Sequence, residues 1–290
     1  MLPLNKILFP VDFSARCTGA AHYAKVLASR FQSELTLLHV VIPPEYEFAS
    51  FETGGAVLAG YVAHRAERVK TELDAYLADE LSAITVNRLV VEGEPALVIV
   101  EHAKKEHTNL IVMPTHGYGP FRRFILGSVT AKVLHDADCP VLTGAHLEEA
   151  EGAGEPPLRN IVCALDLGSQ SAKTLEWAAH VAAGLEAHLT IVHATPTLQP
   201  REGGYFDPEW RSLLVGQARE ELERLTAKLE VKPETHIADG DVTKVVCAAA
   251  SKYHADLLVI GRGSSSGVFG RLRTNAYSLI RGAPCAVVSV

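Results

Sequence analysis

The residues best suited to chemistry lie in one glycine-punctuated stretch. It runs from Met113-Pro114-Thr115-His116-Gly117-Tyr118-Gly119 to Gly127-Ser128-Val129. Gly117 and Gly127 bracket nine residues, and Gly127-Ser128 stands where a helix should open. Glycine lets a backbone approach a ligand closely, and a helix start presents unpaired N–H groups at the positive end of its dipole. Phosphate is the ligand that suits such a loop, with Ser128 either capping the helix or donating to a phosphate oxygen. A plain turn followed by an N-cap would read the same way.

A second stretch follows a related plan: Gly261-Arg262-Gly263-Ser264, nine residues, then Thr274-Asn275. Ser264 and Thr274 stand where the first stretch has Gly117 and Gly127. Arg262, Arg271 and Arg273 leave two readings open, an anion site working by guanidinium charge or a solvated loop with structural arginines. Asp12 and Asp166 each close a short apolar run ahead of these loops.

Other chemistry is not signalled. The chain has 13 histidines, but His102 and His107 share no helix face well, and no metalloprotease motif occurs. No metal site is expected. His39 and His193 end equivalent strands, which suits a structural or pocket-wall role. No Gly-x4-Gly-Lys-Ser/Thr loop and no Gly-x-Ser-x-Gly elbow occurs, so neither P-loop ATPase chemistry nor serine hydrolysis is expected.

The elements that must carry these loops appear twice. Lys6–Val11 followed by Asp12 recurs as Asn160–Leu165 followed by Asp166, and Leu35–Val40 recurs as Leu189–Ala194. Later matches, such as Asn109–Met113 with Asp256–Ile260, come at a slightly shorter spacing. This is a tandem duplication. Domains are expected at 1–145 and 158–290. The connector 146–157, with Glu148, Glu149, Glu151 and Glu155 among Gly and Pro, reads as an exposed acidic linker.

Within each half, strands apolar on both faces alternate with helical periodicities. In the first half the strands are Lys6–Val11, Leu35–Val41, Asn87–Val91, Leu110–Met113 and Val141–Thr143. Ala20, Ala24, Leu27 and Phe31 suit one helix. Val62, Ala66, Val69, Leu73, Tyr76 and Leu77 suit a second, long one. Ala96, Val100 and Ala103 suit a third, and Val129–Leu134 a fourth. In the second half Trp210, Leu214, Ala218, Leu222, Leu225 and Leu229 stripe the long helix. The expected fold class is α/β, a doubly wound parallel sheet in each half. Ligands in such sheets sit beyond the carboxyl ends of the strands, where the winding reverses. The segment Pro43–Gly60 is a long connection that reads equally as a lid or a loop.

Composition narrows the partners. The chain has 290 residues, 48% apolar and 21% charged, with a formal charge of −7. That is ordinary globular composition, and an acidic balance disfavours nucleic-acid and anionic-membrane binding. No apolar run is long enough to span a bilayer, and the first residues lack signal-peptide character. Five cysteines without a Cys-x-x-Cys pair fit a reducing, cytoplasmic setting. Cys139 and Cys285 are expected in the core.

The whole pattern resembles the universal stress protein family. The resemblance rests on Pro10-Val11-Asp12-Phe13-Ser14, Leu38-His39-Val40, Gly93-x-Pro95, the Gly117 to Gly127-Ser128 loop and Asp138-Cys139-Pro140-Val141. It covers both halves and implies two Rossmann-like domains, each a five-stranded parallel sheet with helices on both faces. It also implies an ATP-binding stress-response regulator, with or without Mg²⁺ and with little or no hydrolysis. Carried over residue by residue, Asp12 holds the nucleoside beside Pro10, and Val40 presents backbone to adenine. Met113 and Pro114 lead into the loop, and Gly117, Gly127, Ser128 and Val129 contact phosphate. Pro114 departs from the family's first glycine, which removes an N–H and fixes φ. Asp166, Gly261, Arg262, Ser264, Thr274 and Asn275 mark a second, degenerate site. The alternative is a nucleotide-independent module acting through a protein partner. The last strands, Val141–Thr143 and Ala286–Val290, suit pairing of the two domains within the chain, and a homodimer of chains is compatible with the same family.

Overall fold

The computed structural model describes residues 4–43, 65, 67–115, 126–144, 156–196, 208–262 and 274–290. Two compact units are built on Pro3–Thr143 and Pro157–Val290.

The first unit contains β1 (Lys6–Pro10), α1 (Ala15–Phe31), β2 (Glu34–Val41), β3 (Val86–Glu92), α2 (Pro95–Lys105), β4 (Leu110–Val112), α3 (Ser128–Asp136) and β5 (Val141–Thr143). Its strands lie in the order β3-β2-β1-β4-β5, all parallel. The chain winds outward from β1 to β3, then returns to β4 on the other side of β1. Right-handed crossovers in opposite directions place helices on opposite faces of the sheet. Leu8, Phe9, Leu35, Leu37, Leu38, Leu110 and Ile111 are fully buried, as strands covered on both faces require.

The second unit repeats this with β6 (Asn160–Ala164), α4 (Ser171–Leu185), β7 (His188–Thr195), α5 (Pro208–Thr226), β8 (Glu234–Asp239), α6 (Val242–Lys252), β9 (Leu257–Ile260), α7 (Thr274–Gly282) and β10 (Ala286–Ser289). Its parallel order is β8-β7-β6-β9-β10.

The repetition extends to single hydrogen bonds. Asn109 Oδ1 accepts from the Asn5 and Lys6 amides, both at 2.9 Å. Asp256 Oδ2 takes the Arg159 and Asn160 amides at 2.8 and 2.9 Å. Each clasp joins the start of the first strand to the loop before the fourth. Gly93 and Gly240 both adopt φ +150°, which L side chains rarely do, and a Cβ at Gly93 would stand 2.6 Å from Val98. Glu94 then caps α2 by accepting from the Leu97 amide at 2.8 Å, with Pro95 in the first turn.

Three expectations change. The long helix over Val62–Leu77 is helical at 67–75, then turns at Tyr76, and Leu77 has φ 50°; Val62 lies outside the described residues. On α5 only Ala218 and Leu222 of the predicted stripe are buried. Trp210 is 54% exposed, and Leu229 lies past the helix end. The stripe is satisfied only where α5 packs on β7 and β8. Cys139 is half-buried rather than core, whereas Cys285 is buried, which with nearby Asp256 pushes its thiol pKa up to about 12. Residues 145–155, most of the expected linker, lie outside the described residues, as does the Tyr46, Phe48 and Phe51 segment.

Candidate functional site

The carboxyl ends of β1, β2 and β4 open into a cavity of about 740 Å³. Pro10, Asp12, Val40, Met113, Pro114, Gly127, Ser128 and Val129 all line it. These are the candidates of the first half except Gly117, which lies outside the described residues. They converge because the winding reverses between β1 and β4, so the turns after these strands diverge and leave a crevice.

Asp12 is fixed in place. Its Oδ1 accepts from the Ser14 amide at 3.0 Å, the Ser14 hydroxyl at 2.6 Å and the Cys17 thiol at 2.9 Å. The intervening Phe13 has φ 60°, a left-handed turn that swings its ring onto His39, with centroids 4.7 Å apart. Tyr76 meets the Phe13 ring edge-on at 5.5 Å. His39 Nδ1 lies 2.8 Å from the Val11 carbonyl and donates to it. Burial holds the His39 pKa below its ordinary value, so the ring is neutral at pH 7. Burial and then the Asp12 charge push the Cys17 thiol pKa up.

At the other end of the cavity, α3 begins without a side-chain cap because its N-cap is Gly127. The Gly127 amide donates to the Thr115 carbonyl at 2.8 Å, and Thr130 Oγ1 donates to the Pro114 carbonyl at 3.0 Å. These bonds hold the described ends of the loop together. Ser128 and Val129 then present first-turn amides at the cavity wall, the arrangement that attracts anions. Lys132, one turn on, contacts Glu94 at 3.2 Å.

Pro114 does not distort this arrangement. Its counterpart Gly261 has no positive φ, so the position does not demand glycine. A Cβ at Gly261 would meet Thr174 Oγ1 at 3.1 Å. In the first unit the repeat puts the buried Ala20 at the position of Thr174, so that position carries no hydroxyl.

The second unit repeats one end of this site and carries different residues at the other. Asp166 Oδ1 accepts from the Gly168 amide at 2.9 Å and the Ser171 hydroxyl at 3.1 Å. His193 Nδ1 lies 2.8 Å from the Leu165 carbonyl. Asp166, Gly261 and Asn275 line a cavity of about 180 Å³. Leu279, in the place of Lys132, closes part of it. Arg262 is 3% exposed and is absent from that lining, so it is neither a solvated loop residue nor a wall of this cavity. Thr274 opens α7, and Ser264 lies outside the described residues.

Sequence reasoning did not single out Cys17, Ile42, Arg65, Ile99, Leu126 and Thr130 as cavity wall. Helical phase could have found Ile99, which follows Pro95 by about one turn of α2, but not Cys17, because Asp12 lies before α1. Arg65 gave no signal because its contact with this wall is purely tertiary.

A sequence model described as the universal stress protein family matches residues 3–143 and again 157–290. Universal stress protein MJ0531 of Methanocaldococcus jannaschii is 31% identical over 138 residues, covering 48% of this chain and 80% of its own length. A universal stress protein from Archaeoglobus fulgidus is similar in structure over 99% of this chain and 96% of its own, with TM-score 0.68 and 22% identity. A universal stress protein solved in complex with cAMP covers 46% of this chain and 96% of its own, with TM-score 0.37 and 22% identity.

Proposed function

Because the chain belongs to the universal stress protein family, with two such domains in tandem, we propose that its first domain is an adenine-nucleotide receptor. ATP is the ligand that fits this reading, entering with Mg²⁺ carried on its phosphates. The observation that carries it is convergence. Candidate residues from separate turns meet on one cavity with Asp12 at one end and uncapped amides of α3 at the other. Its volume of about 740 Å³ falls within the range of roughly 300–1,000 Å³ usual for small-molecule sites.

In this reading aliphatic walls from Val11, Val40 and Met113 hold the base, the fixed Asp12 carboxylate holds the ribose, and the Ser128 and Val129 amides meet the phosphates. The chemistry is binding with slow or no hydrolysis. Asp12 Oδ1 is committed to Ser14 and Cys17, which suits a positioning carboxylate better than a mobile base. Nucleotide occupancy would then alter a surface read by a protein partner in a cytoplasmic stress response.

The second domain supports the nucleotide-independent reading for its own half. Its cavity of about 180 Å³ lies below the usual ligand range, and Asn275 and Leu279 stand in place of Ser128 and Lys132. Native mass spectrometry and calorimetry with Mg-ATP test both readings together. One nucleotide per chain is the expected result. Two would overturn the reading of the second domain, and none at millimolar ATP would overturn that of the first.

A further inference from the structure

The β1–β2 ladder ends in an unusual way, and it ends so in both units. Even-numbered residues of β2 face β1. The Glu34 amide donates to the Asn5 carbonyl at 2.8 Å, and the Leu38 carbonyl accepts from the Val11 amide at 2.9 Å. Odd-numbered residues face β3, as the bond from the Gly93 amide to the Val41 carbonyl at 3.0 Å indicates. In a regular parallel ladder the next bond would run from the Val40 amide to the Val11 carbonyl. That carbonyl is instead taken by the His39 side chain at 2.8 Å. The second unit repeats the substitution. The Leu165 amide donates to the Val192 carbonyl at 2.9 Å, and the Leu165 carbonyl is taken by His193 Nδ1 at 2.8 Å rather than by the Ala194 amide.

We propose that His39 is a positioning residue for base recognition. Its imidazole takes over the Val11 carbonyl, which frees the Val40 amide to face the cavity, and His193 does the same for Ala194. A backbone N–H and C=O with no ladder partner form a donor–acceptor edge of the kind a nucleobase edge can pair with. Val40 lines the cavity on the side where β1 has turned away. Phe13 stacks on the ring and holds the plane in which Nδ1 meets Val11. The consequence for binding rests on the nucleotide reading of the cavity, whereas the hydrogen-bond exchange does not.

Amide hydrogen exchange of the full chain without nucleotide tests it, with the wild type beside His39→Ala and His39→Asn. Asparagine places an amide donor where Nδ1 stands. In the wild type the Val40 amide should exchange quickly for a central strand. In His39→Ala it should drop onto the vacated Val11 carbonyl and slow by about tenfold, the scale of one hydrogen bond. His39→Asn should restore fast exchange. ATP affinity should fall at least about tenfold in His39→Ala, the worth of a hydrogen-bonded edge, and recover in His39→Asn. A Val40 amide already protected in the wild type, or unmoved in His39→Ala, overturns the proposal. If exchange responds as expected while the wild type binds no ATP, the nucleotide reading fails and the positioning stands. Should His39→Ala not fold, His193→Ala with exchange read at Ala194 decides the same point in the other unit.

Discussion

The Cys17 thiol donates to Oδ1 of Asp12 across 2.9 Å, inside the wall of the larger cavity. Ser171 makes the same contact with Asp166 at 3.1 Å. The thiol is therefore a structural donor that keeps a carboxylate in place. Only 1% of Cys17 is exposed, and burial and the Asp12 charge both disfavour the thiolate, which is the reactive form. Cys17 should resist iodoacetamide at pH 8 in the folded protein and react once the chain is unfolded in guanidinium. Cys17→Ser should fold normally, as Ser171 does in its place. Cys17→Val should lose about 0.5–1.5 kcal/mol in denaturant unfolding, because Asp12 would keep the Ser14 amide and hydroxyl but lose its third donor. Rapid alkylation of the native thiol would contradict this.

Gly127→Glu should abolish ATP binding while leaving the fold intact. A carboxylate at a helix N-cap suits the dipole, so α3 should form. The same charge would occupy the space in front of the Ser128 and Val129 amides and repel phosphate. Circular dichroism should match the wild type, and calorimetry should register no heat. Undiminished affinity in a folded variant would remove phosphate from this end of the cavity.

Ala20 and Pro114 should be coupled. Ala20→Thr would bring a hydroxyl against the proline ring, by analogy with the 3.1 Å approach of Thr174 Oγ1 to a Cβ at Gly261. Overpacking of this sort costs about 1–3 kcal/mol. Adding Pro114→Gly should recover most of that loss, giving a clear interaction energy in a double-mutant cycle. Additive effects would mean that the ring and residue 20 do not meet.

Stability should fall as the solution is acidified from neutral. Burial lowers the pKa of His39, His102 and His180 below the ordinary value in each case. Just below pH 6.5 the unfolded chain binds protons that the folded chain refuses, so stability is full above that pH and is lost on the way down to the folded values. Glu94 adds a loss at lower pH. Burial alone would raise its pKa, but the Leu97 amide and Lys132 outweigh that and hold it down. The melting temperature should drop between pH 7 and pH 5, and His39→Asn should flatten part of the slope. A flat profile would contradict the burial of these rings.

Much of the fold was legible because it is local and repeated. Lys6–Val11 and Leu110–Met113 are apolar on both faces, which only a sheet covered on both sides accommodates. The start of α3 was legible because Gly127 before Ser128 marks a helix opening, whether or not a ligand sits there. The long helices were legible only in part, because periodicity signals a face that wants burial and does not say whether anything covers it. Leu222 found β7 and β8, and Trp210 stayed exposed.

The residues expected at the carboxyl ends of β1, β2 and β4 came from the family resemblance; by itself the sequence determined the duplication and the order of strands and helices. Those follow from spacing and side-chain period, which act along the chain. Tertiary structure alone decided the rest. It set the large cavity in one unit and the small one in the other, and buried Arg262. It also let the His39 ring replace a backbone amide at the end of the β1–β2 ladder. Each of these depends on the distance between residues remote in sequence, and spacing along one chain does not encode that distance.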